Sequence, residues 1–317
     1  MASTAATFPL GPFEPYANNP ILRPQGTGWE SSNLYNPGAI VVGETVVLLY
    51  RAHGDDGVSR IGIATSSDGI NFQREAKPVL VPEWPYETHG CEDPRVTRIG
   101  ETYYLTYTGY NGANALLCLA TSTDLRNWAK HGPLFPEFNT WANLPYGANK
   151  PWSKAGVIHP EPIGGLYYMY FGEGEIFYAT SSDLLHWTPC DNSTPIYSPT
   201  PGSWDSTLVE IGAPPVVTLD GLLIFLFNGA NAVSFTEVDY RCGQFAIAKS
   251  KPTEVVATMQ QPWLRPQTFE DTHGPMSNVT FVEGLVNFRG RWFAYYGQSD
   301  TTLAVAIFDP ATQSFRA

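Results

Sequence analysis

Residues 64–72 read Ala-Thr-Ser-Ser-Asp-Gly-Ile-Asn-Phe, and similar stretches return at 120–128 (Ala-Thr-Ser-Thr-Asp-Leu-Arg-Asn-Trp) and 179–187 (Ala-Thr-Ser-Ser-Asp-Leu-Leu-His-Trp). The central acids Asp68, Asp124 and Asp183 recur after 56 and then 59 residues. A period in this range with strand-like content is typical of β-propeller blades. We expect each acid to accept hydrogen bonds in a turn between strands. Trp128 and Trp187, which end two of the stretches, are expected to pack between blades.

A second element recurs five times and predicts the number of blades. Each copy is an apolar, aromatic run that ends on a small residue, at residues 47–52, 104–109, 168–172, 225–229 and 293–297. Before each run lies a two-residue segment typical of a hairpin turn, at residues 43–44, 100–101, 164–165, 220–221 and 289–290. The helical signal is weak throughout. We therefore predict an all-β protein, a single five-bladed β-propeller over residues 1–317, with residues 20–24 completing the last blade.

The composition argues against several classes of partner. The formal net charge is −12 and no basic run is present, whereas nucleic acids and anionic membranes are bound through clustered Lys and Arg. No apolar stretch reaches the roughly 18 residues that a membrane span needs. The first residues lack a basic segment followed by an apolar one, so no signal peptide is predicted. We expect a cytoplasmic protein, or a secreted one if a leader has been removed, and a monomer or dimer.

The sequence gives no sign of a metal or a cofactor. The cysteines Cys91, Cys118, Cys190 and Cys242 are widely spaced without a Cys-x-x-Cys pattern, which favours free thiols over a zinc site. No histidine cluster has metal spacing, and no Gly-rich phosphate loop is present. We expect neither a metal nor a cofactor.

The residues just before the first strand of each blade are expected to converge on the propeller axis. They include Asn36 in blade 1, Asp93 in blade 2, Lys154 in blade 3, Glu210 in blade 4 and Glu283 in blade 5. Three carboxylates facing one funnel suit glycoside hydrolysis, in which one acid protonates the leaving oxygen and another activates water. The alternative is that each acid caps a turn or pairs with a nearby Arg or Lys.

Other residues are candidates for sugar contacts. Arg51 and Asp300 end strands that point toward the funnel, where they either form an ordinary salt bridge or bind sugar hydroxyls. His89 and His273 each precede a glycine in a loop just before the Asp93 and Glu283 segments, and we treat them only as candidate ligand contacts.

Five motifs, in order along nearly the whole chain, resemble glycoside hydrolase family 130, and they lie at residues 35–39, 50–52, 92–96, 212–216 and 295–300. The resemblance implies a five-bladed propeller, an inverting mechanism and β-mannosides as substrates. It implies that Asp93 is the proton donor and acts through the 3-hydroxyl of the bound mannose. Arg51 and Asp300 match residues that hold this mannose, and Asn36, Arg95, Lys154 and His273 complete the expected substrate-binding set.

The family contains both phosphorylases and hydrolases. Its phosphorylases carry a Lys at the position of Glu210, a His near Asn228 and an Arg near Gly172, and this chain has none of these cations. Two added carboxylates, Glu210 and Glu283, would repel a phosphate dianion and could hold a water. The pattern favours an exo-acting β-1,2-mannosidase with Asp93, Glu210 and Glu283 as catalytic residues.

Three alternatives stay open at the level of sequence. The first is a β-1,2-mannoside phosphorylase that uses inorganic phosphate. The second is a hydrolase of another five-bladed family that acts on arabinan or xylan. The third is a carbohydrate-binding propeller without turnover.

Overall fold

The structure, a computed structural model, describes residues 8–147, 149–234, 237–310 and 315. It is built almost entirely of β-strands, which form five small antiparallel sheets arranged as the blades of a five-bladed β-propeller. The fold class predicted from the sequence is thus confirmed. No helix in the described part of the chain is long and apolar enough to cross a membrane.

Each blade takes its strands in chain order from the axis outward. Blade 5 also includes the short N-terminal strand β1 (Glu14–Pro15). Blade 1 contains β2 (Asn33–Val42), β3 (Thr45–His53), β4 (Arg60–Ser66) and β5 (Gln73–Arg74). Blade 2 contains β6 (Gly90–Ile99), β7 (Thr102–Tyr110), β8 (Ala115–Ser122) and β9 (Ala129–Pro133). A 3₁₀ helix, Pro85–Glu87, precedes β6.

The later blades follow the same plan. Blade 3 contains β10 (Gly156–Ile158), β11 (Tyr167–Phe171), β13 (Phe177–Ser181) and β14 (Thr188–Pro189). Blade 4 contains β12 (Glu173–Gly174), β15 (Leu208–Ile211), β16 (Val216–Val217), β17 (Leu222–Ser234), β18 (Glu237–Ala248) and β19 (Val255–Thr258). Helix α1 (Phe269–Thr272) precedes blade 5, which contains β20 (Thr280–Phe288), β21 (Arg291–Gln298) and β22 (Thr302–Phe308).

The N-terminal segment closes the ring, but with different residues from those predicted. Strand β1 pairs with β22 through Glu14 and Pro15, whereas residues 20–24 contribute only an isolated bridge between Leu22 and Leu303. The reason is that Pro20 and Pro24 have no N–H group, so a ladder cannot continue through them.

Three of the five predicted two-residue turns directly join two strands, at residues 43–44, 100–101 and 289–290. In blade 3, strand β10 ends at Ile158 and β11 begins at Tyr167, and residues 164–165 are enclosed by an isolated bridge between Ile163 and Leu166. The turn of blade 4 is also longer. Strand β16 ends at Val217 and β17 begins at Leu222, so the connection includes Thr218 as well as Asp220 and Gly221. Thr218 Oγ1 accepts a hydrogen bond from the Leu222 amide, which closes the wider turn.

The repeated acids have the structural role that their sequence predicts. Oδ1 of Asp68 accepts hydrogen bonds from the amides of Ile70 and Asn71, and Asp124 and Asp183 form the equivalent bonds. Trp128 and Trp187 pack in hydrophobic clusters that join blade 1 to blade 2 and blade 2 to blade 3. Similar clusters fill the other three interfaces between blades, so the core lies between the sheets. All four cysteines are free.

Candidate active site

Three of the inner strands are interrupted by β-bulges, and each bulge holds a candidate site residue. The register shifts lie between Tyr35 and Pro37 in β2, between Glu92 and Arg95 in β6, and between Val282 and Gly284 in β20. The unpaired residues are therefore Asn36, Asp93 with Pro94, and Glu283. A bulge turns a side chain away from the regular alternation of a strand, and such bulges are common beside active sites.

The backbone at the axis is strained where the candidate residues lie. Asn36 and Asp93 have φ angles of 51° and 52°, and Ala155, which follows Lys154, has a φ of 61°. Ser299 and Asp300 at the end of blade 5 also have positive φ angles, 43° and 52°. Asn and Asp tolerate this region better than most residues, but the strain still has a cost, and such strain clusters at functional sites.

Asp93 in blade 2 is fully buried, and its carboxylate is contacted by residues of blades 1 and 3. Oδ1 accepts a hydrogen bond of 2.6 Å from Asn36 Nδ2 and lies 3.1 Å from Nη1 of Arg51. Oδ2 lies 2.9 Å from Nζ of Lys154. Burial opposes ionisation of this carboxyl, but Lys154, Arg51 and Arg95 outweigh it and hold the pKa of Asp93 well below its ordinary value. Asp93 is therefore a carboxylate in the unliganded site.

Arg95 crosses the axis and links blade 2 to blades 4 and 5. Its Nε and Nη2 donate to the carbonyls of Gly212 and Ile211, each at 2.8 Å. Nη2 also lies 2.9 Å from Glu283 Oε1 and 3.6 Å from Glu210 Oε1. Arg95 is buried, so it holds these two acids in place and is not available to a second anion.

Glu210 and Glu283 are buried acids whose protons are retained to unusually high pH. Burial, opposed by Lys154, raises the pKa of Glu210 to about 8, and the nearby Glu173 contributes in the same direction. Burial also raises the pKa of Glu283 well above its ordinary value, despite Arg95. Neither oxygen of Glu283, nor Oε1 of Glu210, accepts a hydrogen bond from a described residue. These oxygens are suited to hold a water or a substrate hydroxyl.

Lys154 is surrounded by carboxylates. Besides Asp93, its Nζ lies 3.4 Å from Glu210 Oε1 and 3.7 Å from Glu173 Oε1. Burial favours the neutral amine, but Asp93, Glu173 and Glu210 outweigh it and raise the pKa of Lys154 well above its ordinary value. Lys154 is thus a cation whose charge is already balanced inside the site.

Arg51 and Asp300 lie at the edge of this cluster, as predicted. Nη2 of Arg51 lies 2.7 Å from Glu92 Oε1, and its guanidinium lies 4.4 Å from the centre of the Tyr35 ring. Asp300 is partly exposed. Burial, opposed by Arg51 and reinforced by Asp93, raises its pKa to about 6. A carboxyl and a guanidinium at the mouth of the funnel can bind sugar hydroxyls.

The structure does not bring His273 into this cluster. His273 is exposed at the end of α1, its ring stacks on Phe269 at 4.1 Å, and Nδ1 lies 2.9 Å from Thr272 Oγ1. None of its contacts recorded among the described residues is with another candidate residue. His89 is likewise exposed and packs edge-to-face on Tyr110.

Three residues that take part in the cluster were not predicted from the sequence. Glu92 was quoted in a motif but was not assigned to the site, although it pairs with Arg51. Glu173 lies directly opposite Glu210 in the pairing of β12 with β15. Burial, reinforced by Glu173 and Glu210, raises the pKa of Tyr240 well above its ordinary value, which places this phenol near both acids. Only the position of Glu173, just after a strand that ends on Gly172, offered a signal.

Asn228 and Gly172 lie where the resemblance led us to expect cations in a phosphorylase. The Asn228 amide donates to the Val282 carbonyl at 2.9 Å and accepts from the Val282 amide at 2.8 Å, so it supports the bulge that holds Glu283. Beside Gly172 lies Glu173, a further carboxylate. Within the described ranges, no group of three or more His, Cys, Asp and Glu residues is arranged to hold a metal ion.

Comparisons with known proteins place this geometry in a family. Residues 16–311 match the family model Glyco_hydro_130, described as β-1,4-mannooligosaccharide phosphorylase. A curated relative from Thermoanaerobacter sp. (strain X514), named 1,2-β-oligomannan phosphorylase, is 34% identical over 92% of this chain and 96% of its own length. This similarity supports an enzyme acting on β-mannosides, and it does not confirm the hydrolase predicted from the sequence.

Solved structures agree with the fold and extend the range of activities. A crystal structure from Parabacteroides distasonis ATCC 8503 has a TM-score of 0.87 and 32% identity, and covers 96% of this chain and 98% of that chain. Another, with a TM-score of 0.86 and 33% identity over 96% of both chains, is described as showing that the GH130 family of mannoside phosphorylases contains glycoside hydrolases that target β-1,2 mannosidic linkages in Candida mannan.

Proposed function

The chain belongs to glycoside hydrolase family 130, and we propose that it hydrolyses β-1,2-linked mannosides to release mannose. One observation carries this proposal. Six carboxyl groups surround three cations at the axis, and each cation already contacts at least two acids: Arg51 with Glu92 and Asp93, Arg95 with Glu210 and Glu283, and Lys154 with Asp93, Glu173 and Glu210. Asp300 is the sixth acid. A phosphate dianion would have to displace a carboxyl group from one of these cations, and it would meet the repulsion of the ionised Asp93.

In the proposed reaction, the attacking water and the leaving oxygen lie on opposite faces of the sugar ring. Water attacks the anomeric carbon, the bond from this carbon to the leaving oxygen breaks, and the configuration inverts. Asp93 supplies the proton that the leaving oxygen receives, through a substrate hydroxyl as the family resemblance implies. Glu210 and Glu283 hold the attacking water, and Glu210 takes its proton. Glu210 is preferred as the base because Lys154 lies close enough to stabilise its carboxylate form.

The pKa values of Asp93 and Glu210 favour a protonation state that differs from the one this reaction needs. Asp93 has lost its proton and Glu210 retains one, whereas the active form requires the reverse. Both forms carry one proton on the pair, so no proton has to enter or leave the protein. The sugar would favour the active form by separating Lys154 from Asp93, because loss of this neighbouring cation raises the pKa of the acid.

The deciding assay supplies β-1,2-mannobiose with and without inorganic phosphate. We expect mannose at equal rates in both reactions, and in H₂¹⁸O we expect the label in one of the two mannose molecules. NMR at early times should show α-mannose as the first product, because inversion of a β-linkage gives the α-anomer. Strict dependence on phosphate with mannose 1-phosphate as product would overturn the hydrolase proposal.

Variants distinguish turnover from simple sugar binding. Asp93→Asn and Glu210→Gln should each lower kcat by roughly 10²–10⁴-fold, the usual contribution of a general acid or base. Glu137→Gln is the matched control, because Glu137 is an exposed carboxylate on the surface. If the parent protein binds mannobiose but releases nothing, the molecule is a carbohydrate-binding propeller. Release of pentose from an arabinan or xylan substrate would point to the other hydrolase class.

A phosphorylase acting on β-1,2-mannosides is the second candidate. The name of the Thermoanaerobacter relative and the description of the family model both favour it over the hydrolase. It requires that phosphate displace acids from Arg51 or Lys154. Incubation with mannose 1-phosphate and mannose tests this directly, since a phosphorylase also runs in reverse and would join the two sugars with release of inorganic phosphate.

A further inference from the structure

A group of aromatic side chains lies beside the candidate active site, at the end of strand β7 in blade 2 and in the segment between blades 2 and 3. We call Tyr110, Trp141, Tyr146 and Trp152 the aromatic rim. The Tyr110 and Trp152 rings pack edge-to-face with centres 6.4 Å apart, and Trp141 and Tyr146 do so at 6.1 Å. All four side chains are at least partly exposed.

The rim is joined directly to the charged cluster by Glu173. Oε2 of Glu173 accepts hydrogen bonds from the indole of Trp141, at 3.3 Å, and from that of Trp152. Oε1 of the same carboxylate lies 3.7 Å from Lys154 Nζ, which in turn contacts Asp93. Trp141 also packs in a small cluster with Tyr240, whose pKa responds to Glu210. The rim is therefore a continuation of the site, connected to Asp93 and Glu210 through the side chains of Glu173 and Lys154.

Tyr146 is both exposed and fixed. Its side chain is 52% exposed, yet its hydroxyl donates to the Thr207 carbonyl and its ring rests against Trp141. Large rings held in one position lose little entropy when they bind a ligand. Lys150 lies 4.4 Å from the Trp152 ring and covers part of it, so Tyr146 and Trp141 offer the more open surface.

We propose that the aromatic rim binds the sugar rings of the leaving group beyond the first, and that the enzyme therefore prefers oligosaccharides to the disaccharide. This inference rests on the proposed function, because it takes a β-mannoside to be the substrate. Pyranose rings present C–H faces that pack on aromatic rings, and sugar sites combine such rings with a few polar groups. A neutral ligand also suits a protein of net charge −12, which would repel an anionic one.

The test measures binding and turnover separately. Isothermal titration of β-1,2-mannotetraose and β-1,2-mannobiose into the Asp93→Asn protein gives affinities without reaction. Adding Tyr146→Ala should lower affinity for the tetraose about tenfold more than affinity for the biose, which is the loss of one ring contact. Tyr146→Phe, which keeps the ring and loses the hydroxyl bond, should retain most of the tetraose affinity. Leu219→Ala, at an equally exposed residue in the blade 4 turn, should change neither affinity.

The outcomes separate this inference from the proposed function. If β-1,2-mannobiose is turned over but Tyr146→Ala affects both sugars equally, the rim is not a leaving-group site and the proposed function stands. If no mannoside is turned over but the tetraose affinity depends on Tyr146, the rim binds sugar rings as proposed, whereas the proposed hydrolysis and the preference for oligosaccharide substrates are wrong. Equal kcat/KM for the biose and the tetraose in the parent enzyme would also overturn the preference for oligosaccharides.

Discussion

Replacing Glu210 by Gln should make the protein more stable while it removes activity, and the gain should depend on pH. The carboxyl has an ordinary pKa of 4.5 and a pKa of about 8 in the folded protein. Between these values the unfolded chain loses this proton and the folded chain keeps it. Folding is therefore increasingly disfavoured as pH rises from 4.5 to 8, and the effect is absent at lower pH.

The magnitude follows from the two pKa values. The cost to the wild type is about 1 kcal/mol at pH 5 and about 4 kcal/mol at pH 8, since each unit of pKa difference corresponds to ~1.4 kcal/mol. A neutral Gln carries no such cost. With the unfolding entropy expected for a chain of this length, the Tm advantage of Glu210→Gln should be about 5 °C larger at pH 8 than at pH 5. Lys154 keeps Asp93 and Glu173 as partners in the variant, so no unpaired cation is created.

Thermal denaturation of both proteins at several pH values between 5 and 8 provides the assay. Glu137→Gln, which removes an exposed surface carboxyl, is the matched control for the loss of one acidic side chain. A pH-independent Tm difference for Glu210→Gln would refute the reasoning, because it would mean that Glu210 ionises equally easily in the folded and unfolded chains.

Three further predictions concern the same cluster. The active and resting forms of Asp93 and Glu210 hold the same number of protons. The value of kcat/KM should therefore be independent of pH below about pH 8 and fall about tenfold per pH unit above it. A steady rise of kcat/KM through pH 8 would contradict this. Glu173→Gln should move this alkaline limb to lower pH, because Glu173 is one of the charges that raise the pKa of Glu210; an unmoved limb would assign it to another group. Arg95→Met should lower the free energy of unfolding, measured with urea, by about 1–3 kcal/mol, because it leaves the buried carbonyls of Gly212 and Ile211 without their hydrogen-bond donor; an unchanged free energy of unfolding would show that Arg95 contributes little.

The number and order of the blades could be predicted because the same apolar, aromatic run recurs once in each blade. Each Ser-x-Asp turn closes locally, so its hydrogen bonds follow from a few adjacent residues such as Ser66 and Asp68. The closing strand could not be predicted in the same way. Glu14 and Pro15 show no strand pattern of their own, and their pairing depends on the free edge that β22 presents.

Most residues of the site could be predicted from the sequence, but the strand pairings and bulges that position them could not. The idea that blade starts converge on the axis correctly grouped Asp93, Lys154, Glu210 and Glu283. The bulges that aim Asn36, Asp93 and Glu283 depend on how two strands pair, and a single strand does not reveal this. Glu173 was missed because its importance arises only when the short strand β12 pairs with β15 and sets it opposite Glu210.

Lys154 contacts both the proposed acid and the proposed base. This limits which of its contacts a bound substrate can break if the reaction is to proceed. Separation of Lys154 from Asp93 raises the pKa of the acid, which the reaction needs. Separation from Glu210 would raise the pKa of the base further, which the reaction cannot use. A productive sugar must therefore break the 2.9 Å contact with Asp93 and preserve the 3.4 Å contact with Glu210. A crystal structure with mannose in the funnel should show Lys154 shifted toward Glu210 and Glu173; an intact Lys154–Asp93 pair beside bound mannose would rule out Asp93 as the donor.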